Sequence, residues 1–202
     1  MARKRSGKSH SSDPRGALLA AALAAAEDGR WQAVTLRTLS EAAGVPFGQA
    51  YALFQSPGDV AAAVLNDAVI ASMAEALPDA SLSPKDRIFD AAMNVFDHLK
   101  DRRSGLGGLL AAYRWRPVAG AAFWRSLGRF ARVSLERAGV GADGAAGAAR
   151  IAALTRTLAL VLAVFAEDDD GLSRTMAALD TRLHEAERWA KRLGWGRASE
   201  AA

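Results

Sequence analysis

Apolar residues recur at helical spacing along almost the whole chain. Leu18, Leu19, Ala22, Leu23 and Ala26 form the first stripe, opened by Asp13-Pro14 and closed by Gly29. Trp31 and Val34 then precede two short helical segments, and the pattern predicts that they tuck beneath them. Thr35 is placed to cap the first segment, ahead of Leu36 and Leu39, and Gly44 to end it in a left-handed turn. Val45 plugs the corner. Pro46 suits the first turn of the next helix, which runs through Phe47, Gln49, Ala50, Tyr51 and Phe54 to Ser56-Pro57-Gly58. Two short helices joined at a glycine make a helix-turn-helix, whose second helix can enter a DNA major groove.

Beyond this unit a fourth helix is expected from Gly58-Asp59 to Met73. The stretch from Leu77 to Asp86, with two prolines, reads as a boundary. An amphipathic helix follows, with Ile88, Ala91, Ala92, Val95, Phe96 and Leu99 on one face and Phe89 and Met93 on its flank. Arg102 to Gly108 reads as a glycine-rich break, Leu109 to Trp115 as a short helix, and Val118 to Ala138 as a helix with Phe123, Leu127, Phe130 and Ser134 on one face. Gly139 to Gly147 reads as a loop. Residues 150–167 are apolar nearly all round, and residues 172–193 carry Leu172, Met176, Leu179 and Leu183 on one side. The expected fold is all-α, with about nine helices: a basic arm at 1–12, a helix-turn-helix domain at 13–57, a larger helical domain at 58–193 and a tail at 194–202.

Composition narrows the chemistry. Half of the 202 residues are hydrophobic and none is cysteine, which excludes disulfides, thiolate metal sites and cysteine nucleophiles. The three histidines stand far apart, and Asp168-Asp169-Asp170 do not converge on one point, so no metal and no cofactor is expected. No nucleophile motif of the G-x-S-x-G type appears, and the chain is not expected to be an enzyme. No apolar stretch is expected to reach the ~20 residues that span a bilayer, so stable membrane insertion is not expected and the cytoplasm is. The net charge is +4, and the first fifteen residues hold Arg3, Lys4, Arg5, Lys8 and Arg15 against Asp13 alone. A basic arm of this kind suits phosphate contact or minor-groove insertion, with Lys4 and Arg5 as candidates; the plain alternative is a solvated terminus.

Thr35-Leu36-Arg37, Ala42-Ala43-Gly44-Val45, Gly48, Tyr51, Phe54 and Ser56 together resemble the DNA-binding signature of the TetR family of bacterial repressors. The resemblance implies a three-helix DNA-binding domain and a larger helical domain that binds ligand and dimerises. It implies phosphate contacts from Arg37 and Tyr51 with Thr35 nearby, Pro46 and Phe47 at the helix entry, and Gln49 facing base edges. The partners implied are a palindromic double-stranded operator, a small hydrophobic ligand and a second copy of the chain. Phe89, Met93, Phe96, Trp115, Phe123, Phe130 and Phe165 are the pocket candidates; Leu158, Leu172, Met176, Leu179 and Leu183 are the dimer candidates. The chain departs from the family pattern where Pro46, Phe47, Ala52, Leu53 and Pro57-Gly58 replace polar or basic residues. Those losses point to an alternative, since accessory proteins of ubiquinone biosynthesis resemble the same fold and bind isoprenoid lipid.

Overall fold

A computed structural model describes residues 13–192, with side chains through 188. The described part is all-helical: α1 (Pro14–Glu27), α2 (Leu36–Ala42), α3 (Phe47–Leu53), α4 (Pro57–Ser72), α5 (Pro84–Asp97), α6 (Arg103–Tyr113), α7 (Ala121–Arg137), α8 (Gly144–Phe165) and α9 (Ser173–Arg192). Single 3-10 turns lie at Trp31–Ala33 and Lys100–Arg102.

Three of these helices start in the same way. Asp13, Ser56 and Ser83 each cap a helix whose first residue is proline, accepting from the backbone N–H of Gly16, Asp59 and Asp86 at 2.9, 3.2 and 3.2 Å. The cap meets an otherwise orphaned donor, and proline has no N–H to leave unpaired.

The glycine-rich segment behaves differently from its sequence. Residues 103–108 are not a break but the first half of α6. A Cβ on Gly105 would lie 2.7 Å from a Leu23 methyl carbon and 2.9 Å from the Leu23 Cα, and one on Gly108 would lie 2.1 Å from the Ala26 carbonyl oxygen. The glycines therefore let α6 cross α1 with the two backbones almost touching. Glycine costs a helix about 1 kcal/mol per position, and the contact with α1 offsets it. Two other expected boundaries also move: α7 starts at Ala121, leaving Val118 in a turn, and α8 starts at Gly144, inside the expected loop.

Phe96, Phe130 and Phe165, from α5, α7 and α8, meet at the centre of the larger half. Ring centroids lie 5.5 Å apart for Phe96–Phe130 and 5.0 Å for Phe96–Phe165. α4 carries the small half into the large one, burying Val60, Ala61, Val64, Leu65, Ala68 and Val69 while it packs chiefly along α7. Asp67 on α4 also pairs with Arg15 on α1, whose guanidinium lies 5.6 Å from the Phe54 ring centroid.

α8 corrects one expectation. Its 22 residues, with a mean hydropathy of 1.7 over an 18-residue window, are long and apolar enough by length and composition to cross a bilayer. One face (Leu154, Leu158, Val161, Leu162, Phe165) is buried as α8 packs on α6, α7 and α9.

Candidate nucleic-acid interface

The α2–turn–α3 unit is built from local chemistry. Thr35 Oγ1 accepts from the Thr38 N–H at 3.1 Å, and the Thr35 N–H donates to Thr38 Oγ1 at 3.0 Å. This reciprocal pair fixes where α2 begins. At its other end Gly44 takes φ +66°, the Gly44 N–H reaches the Glu41 carbonyl at 3.3 Å, and the Val45 N–H reaches that of Ser40 at 2.9 Å. That double closure needs a residue free to adopt the left-handed region. Val45, 6% exposed, then drops into the core and turns the chain.

Pro46 stands one step earlier than the sequence places it. It caps α3 rather than filling its first turn, and its carbonyl accepts from Gln49 and Ala50 at 2.9 and 3.0 Å. α3 is held at three points, Val45, Ala50 and Phe54, and between them it faces out. Ala50 alone of its seven residues is buried. At about 100° per residue, the direction opposite Ala50 falls on Gly48 and Ala52, with Phe47 and Tyr51 on one flank and Gln49 and Leu53 on the other. The outermost ridge is thus made of the two smallest side chains, which lets the α3 backbone approach a surface closely. Phe47 and Tyr51 are 51% and 56% exposed, with ring centroids 6.1 Å apart.

Arg37 projects from the first turn of α2, and its Nε donates to Glu41 Oε1 at 2.9 Å, with the side chains 79% and 62% exposed. An exposed pair four apart, with the arginine first, contributes only a few tenths of a kcal/mol. A phosphate displaces such a partner at little cost. Arg37, Glu41, Gly44, Val45, Pro46 and Phe47 line an open cleft of about 500 Å³ beside the turn. Lys4 and Arg5 lie outside the described residues.

Trp31 shares the core cluster of Leu36, Leu39, Val45 and Ala50 and also reaches the larger domain. It is buried edge-on against Tyr113 of α6, with centroids 6.1 Å apart, and Tyr113 in turn meets Phe123 of α7 at 5.6 Å. This aromatic chain, with the α1–α6 crossing, fastens the helix-turn-helix to the rest of the molecule.

No protein-family model matches the sequence, and no curated protein matches it either. Among solved structures, that of a TetR transcriptional regulator from Rhodococcus sp. RHA1 is similar over 87% of this chain and 96% of that chain, with a TM-score of 0.57 at 18% identity. The fold is that of a TetR regulator.

Within the TetR fold the remaining candidates separate. Phe96, Phe123, Phe130 and Phe165 are at most 1% exposed; Phe96, Phe130 and Phe165 pack ring against ring, whereas Phe123 belongs to the chain that runs through Tyr113. Phe89 and Met93 are half-buried against the core. Trp115 is 79% exposed and stands outside it, a correction with a plain cause: α6 ends at Tyr113 and the chain turns away. The dimer candidates need correction too. Leu158, Leu172, Leu179 and Leu183 are at most 5% exposed within their own chain, where α9 packs on α8 and α5. Leu172 even holds a left-handed φ of +52°; burying its side chain contributes about 1.5–3 kcal/mol, enough to offset the strain of about 1–2. Met176 alone of that set is exposed, at 38%. The face that α8 leaves outside is Ala152, Ala153, Arg156, Leu160 and Ala163. Its signal in the sequence is a helix apolar on both sides.

The three aspartates before α9 have separate tasks. Asp168 Oδ2 accepts from the Thr175 N–H and the Thr175 hydroxyl, both at 2.7 Å, Asp169 accepts from the Gly171 N–H at 2.9 Å, and Asp170 pairs with Arg103. Burial pushes the Asp168 carboxyl up, but its hydrogen bonds outweigh that and hold it below the ordinary 3.8. Among the described residues no three His, Asp or Glu side chains gather into a metal-binding group.

Proposed function

We propose that this chain is a cytoplasmic, homodimeric transcriptional regulator that reads DNA through α3 and answers to a small hydrophobic ligand in its larger domain. The observation that carries the reading is the presentation of α3: a seven-residue helix anchored by one buried alanine, with its small-residue ridge and Gln49 outside. Gln49 has the amide needed to pair with adenine through two hydrogen bonds, and Arg37 and Tyr51 flank it as phosphate contacts. Two copies joined along the outward face of α8 would place two α3 helices on a palindrome. A ligand entering between Phe96, Phe130 and Phe165 must part a closed core, and α4 and the α1–α6 crossing would carry that movement to α3. It relieves DNA binding only if it binds the DNA-incompetent arrangement more tightly.

A second reading has its own observation. α3, Phe-Gly-Gln-Ala-Tyr-Ala-Leu, contains no charged residue, which suits a protein of this fold that binds isoprenoid lipid and has given up DNA. Capture of fragmented genomic DNA by the purified protein separates the two. Enrichment of a short palindrome supports the regulator; no enrichment, with an isoprenoid in the organic extract of the protein, replaces it with the lipid carrier.

A further inference from the structure

Between α6 and α7 the chain makes a loop, residues 114–120, exposed from Arg114 to Ala119. Trp115 is 79% exposed and Val118 90%. The Arg114 guanidinium stacks on the Trp115 ring, 5.0 Å from its centroid, which presents a flat cationic surface to solvent. The loop is seated against the two segments that flank the helix-turn-helix in sequence, the 3-10 turn before α2 and the start of α4. Arg116 donates to Gln32 Oε1 in the 3-10 turn just before α2. On the other side the Ala119 carbonyl oxygen lies 3.8 Å from where a Gly58 Cβ would stand, in the first turn of α4. α4, which the loop meets at Gly58, and α3, which ends at Leu53 just before it in the chain, contain no lysine or arginine. Asp59, in the first turn of α4, accepts from the Ser56 hydroxyl at 2.8 Å, and Asp28 is paired with Arg30.

From this placement we infer that the 114–118 loop is a second DNA contact, in which Arg114 and Arg116 lie on the phosphate backbone beside α3 and Trp115 packs on the sugars. The inference rests on the DNA-binding reading and deepens it. A recognition helix without charge can read bases but cannot hold the duplex, because phosphate neutralisation supplies most of the non-specific affinity. The loop adds two cations, borrowed from the larger domain, beside the segments that lead into α2 and out of α3. Any rearrangement of α6 or α7 then moves a DNA contact directly.

The test uses the full chain and a mixed-sequence 24-base-pair duplex, since a backbone contact needs no particular sequence. Binding is titrated between 50 and 200 mM salt for the wild type, for Arg114→Gln, and for Arg114→Gln with Arg116→Gln. Each arginine should contribute about one unit to the slope of log affinity against log salt, so the double variant's deficit should shrink roughly tenfold across that range. Arg114→Gln leaves the Arg116–Gln32 contact in place, so a lower slope there is not a displaced helix-turn-helix. Duplex should also shield Trp115 from acrylamide, read as the quenching lost in Trp115→Phe. Wild-type binding with unchanged slopes and an unshielded Trp115 overturns the loop contact and leaves α3 standing. No wild-type binding to duplex overturns both. Shielding by phosphatidylglycerol vesicles but not by duplex makes the loop a membrane contact and overturns the inference.

Discussion

Arg37 and Gln49 sit on consecutive helices, twelve positions apart in sequence, and have different roles. Arg37→Ala should weaken binding to all sequences alike and lower the salt slope by about one unit, whereas Gln49→Ala should relax preference at one base position, worth about 1–3 kcal/mol. Titrations of operator and mixed-sequence duplex against salt check both; equal losses on every sequence for Gln49→Ala contradict base reading. Asp168 offers a prediction of stability. Its folded carboxyl titrates below the ordinary 3.8, so its contribution is present above that value and is lost as pH falls through the depressed one. Asp168→Ala should cost about 1–2 kcal/mol at pH 7, like other lost caps, and the gap to wild type in denaturant melts should close toward pH 2. A gap that stays constant with pH removes the charge from the argument.

At the scale of elements, what the sequence made legible is what neighbouring residues decide. Thr35, Gly44, Val45 and the Asp13-Pro14 start were readable because a cap or a left-handed turn is settled within five residues. α6 was not, because Gly105 and Gly108 look like a break until α1 lies across them. The α9 stripe of Leu172, Leu179 and Leu183 was legible as apolar, but periodicity does not say which chain covers it. Trp115 was misplaced for the same reason, since an aromatic side chain says nothing of where the backbone turns. The α6 reading makes a paired prediction. Gly108→Ala drives a methyl to 2.1 Å from the Ala26 carbonyl oxygen and should destabilise by about 1–3 kcal/mol. Gly128→Ala in α7, where the nearest atom is Thr155 Oγ1 at 3.9 Å, should stabilise by about 0.5–1 kcal/mol through helix propensity. Thermal melts of the two variants, shifted in the same direction, would contradict the close crossing.

For the whole molecule, the account requires two copies. The proposed dimer uses the outward face of α8, with Leu160 43% exposed, together with Met176 of α9, 38% exposed. A stable pairing should bury about 2,000 Å² or more. Leu160→Arg should give folded monomers by light scattering, while Leu179→Arg, a charge forced into the chain's own core, should lose the fold. A wild type that is monomeric at micromolar concentration contradicts the dimer and the palindrome with it. The central claim, that α3 reads DNA, is tested most directly by hydroxyl-radical footprinting on a captured genomic fragment. The account predicts two protected patches related by a palindrome and centred about 34–36 Å apart, one helical turn, both lost in a variant with Gly48→Glu and Ala52→Glu on the outer ridge of α3. Uniform cleavage by the wild type, or protection that survives that variant, contradicts it.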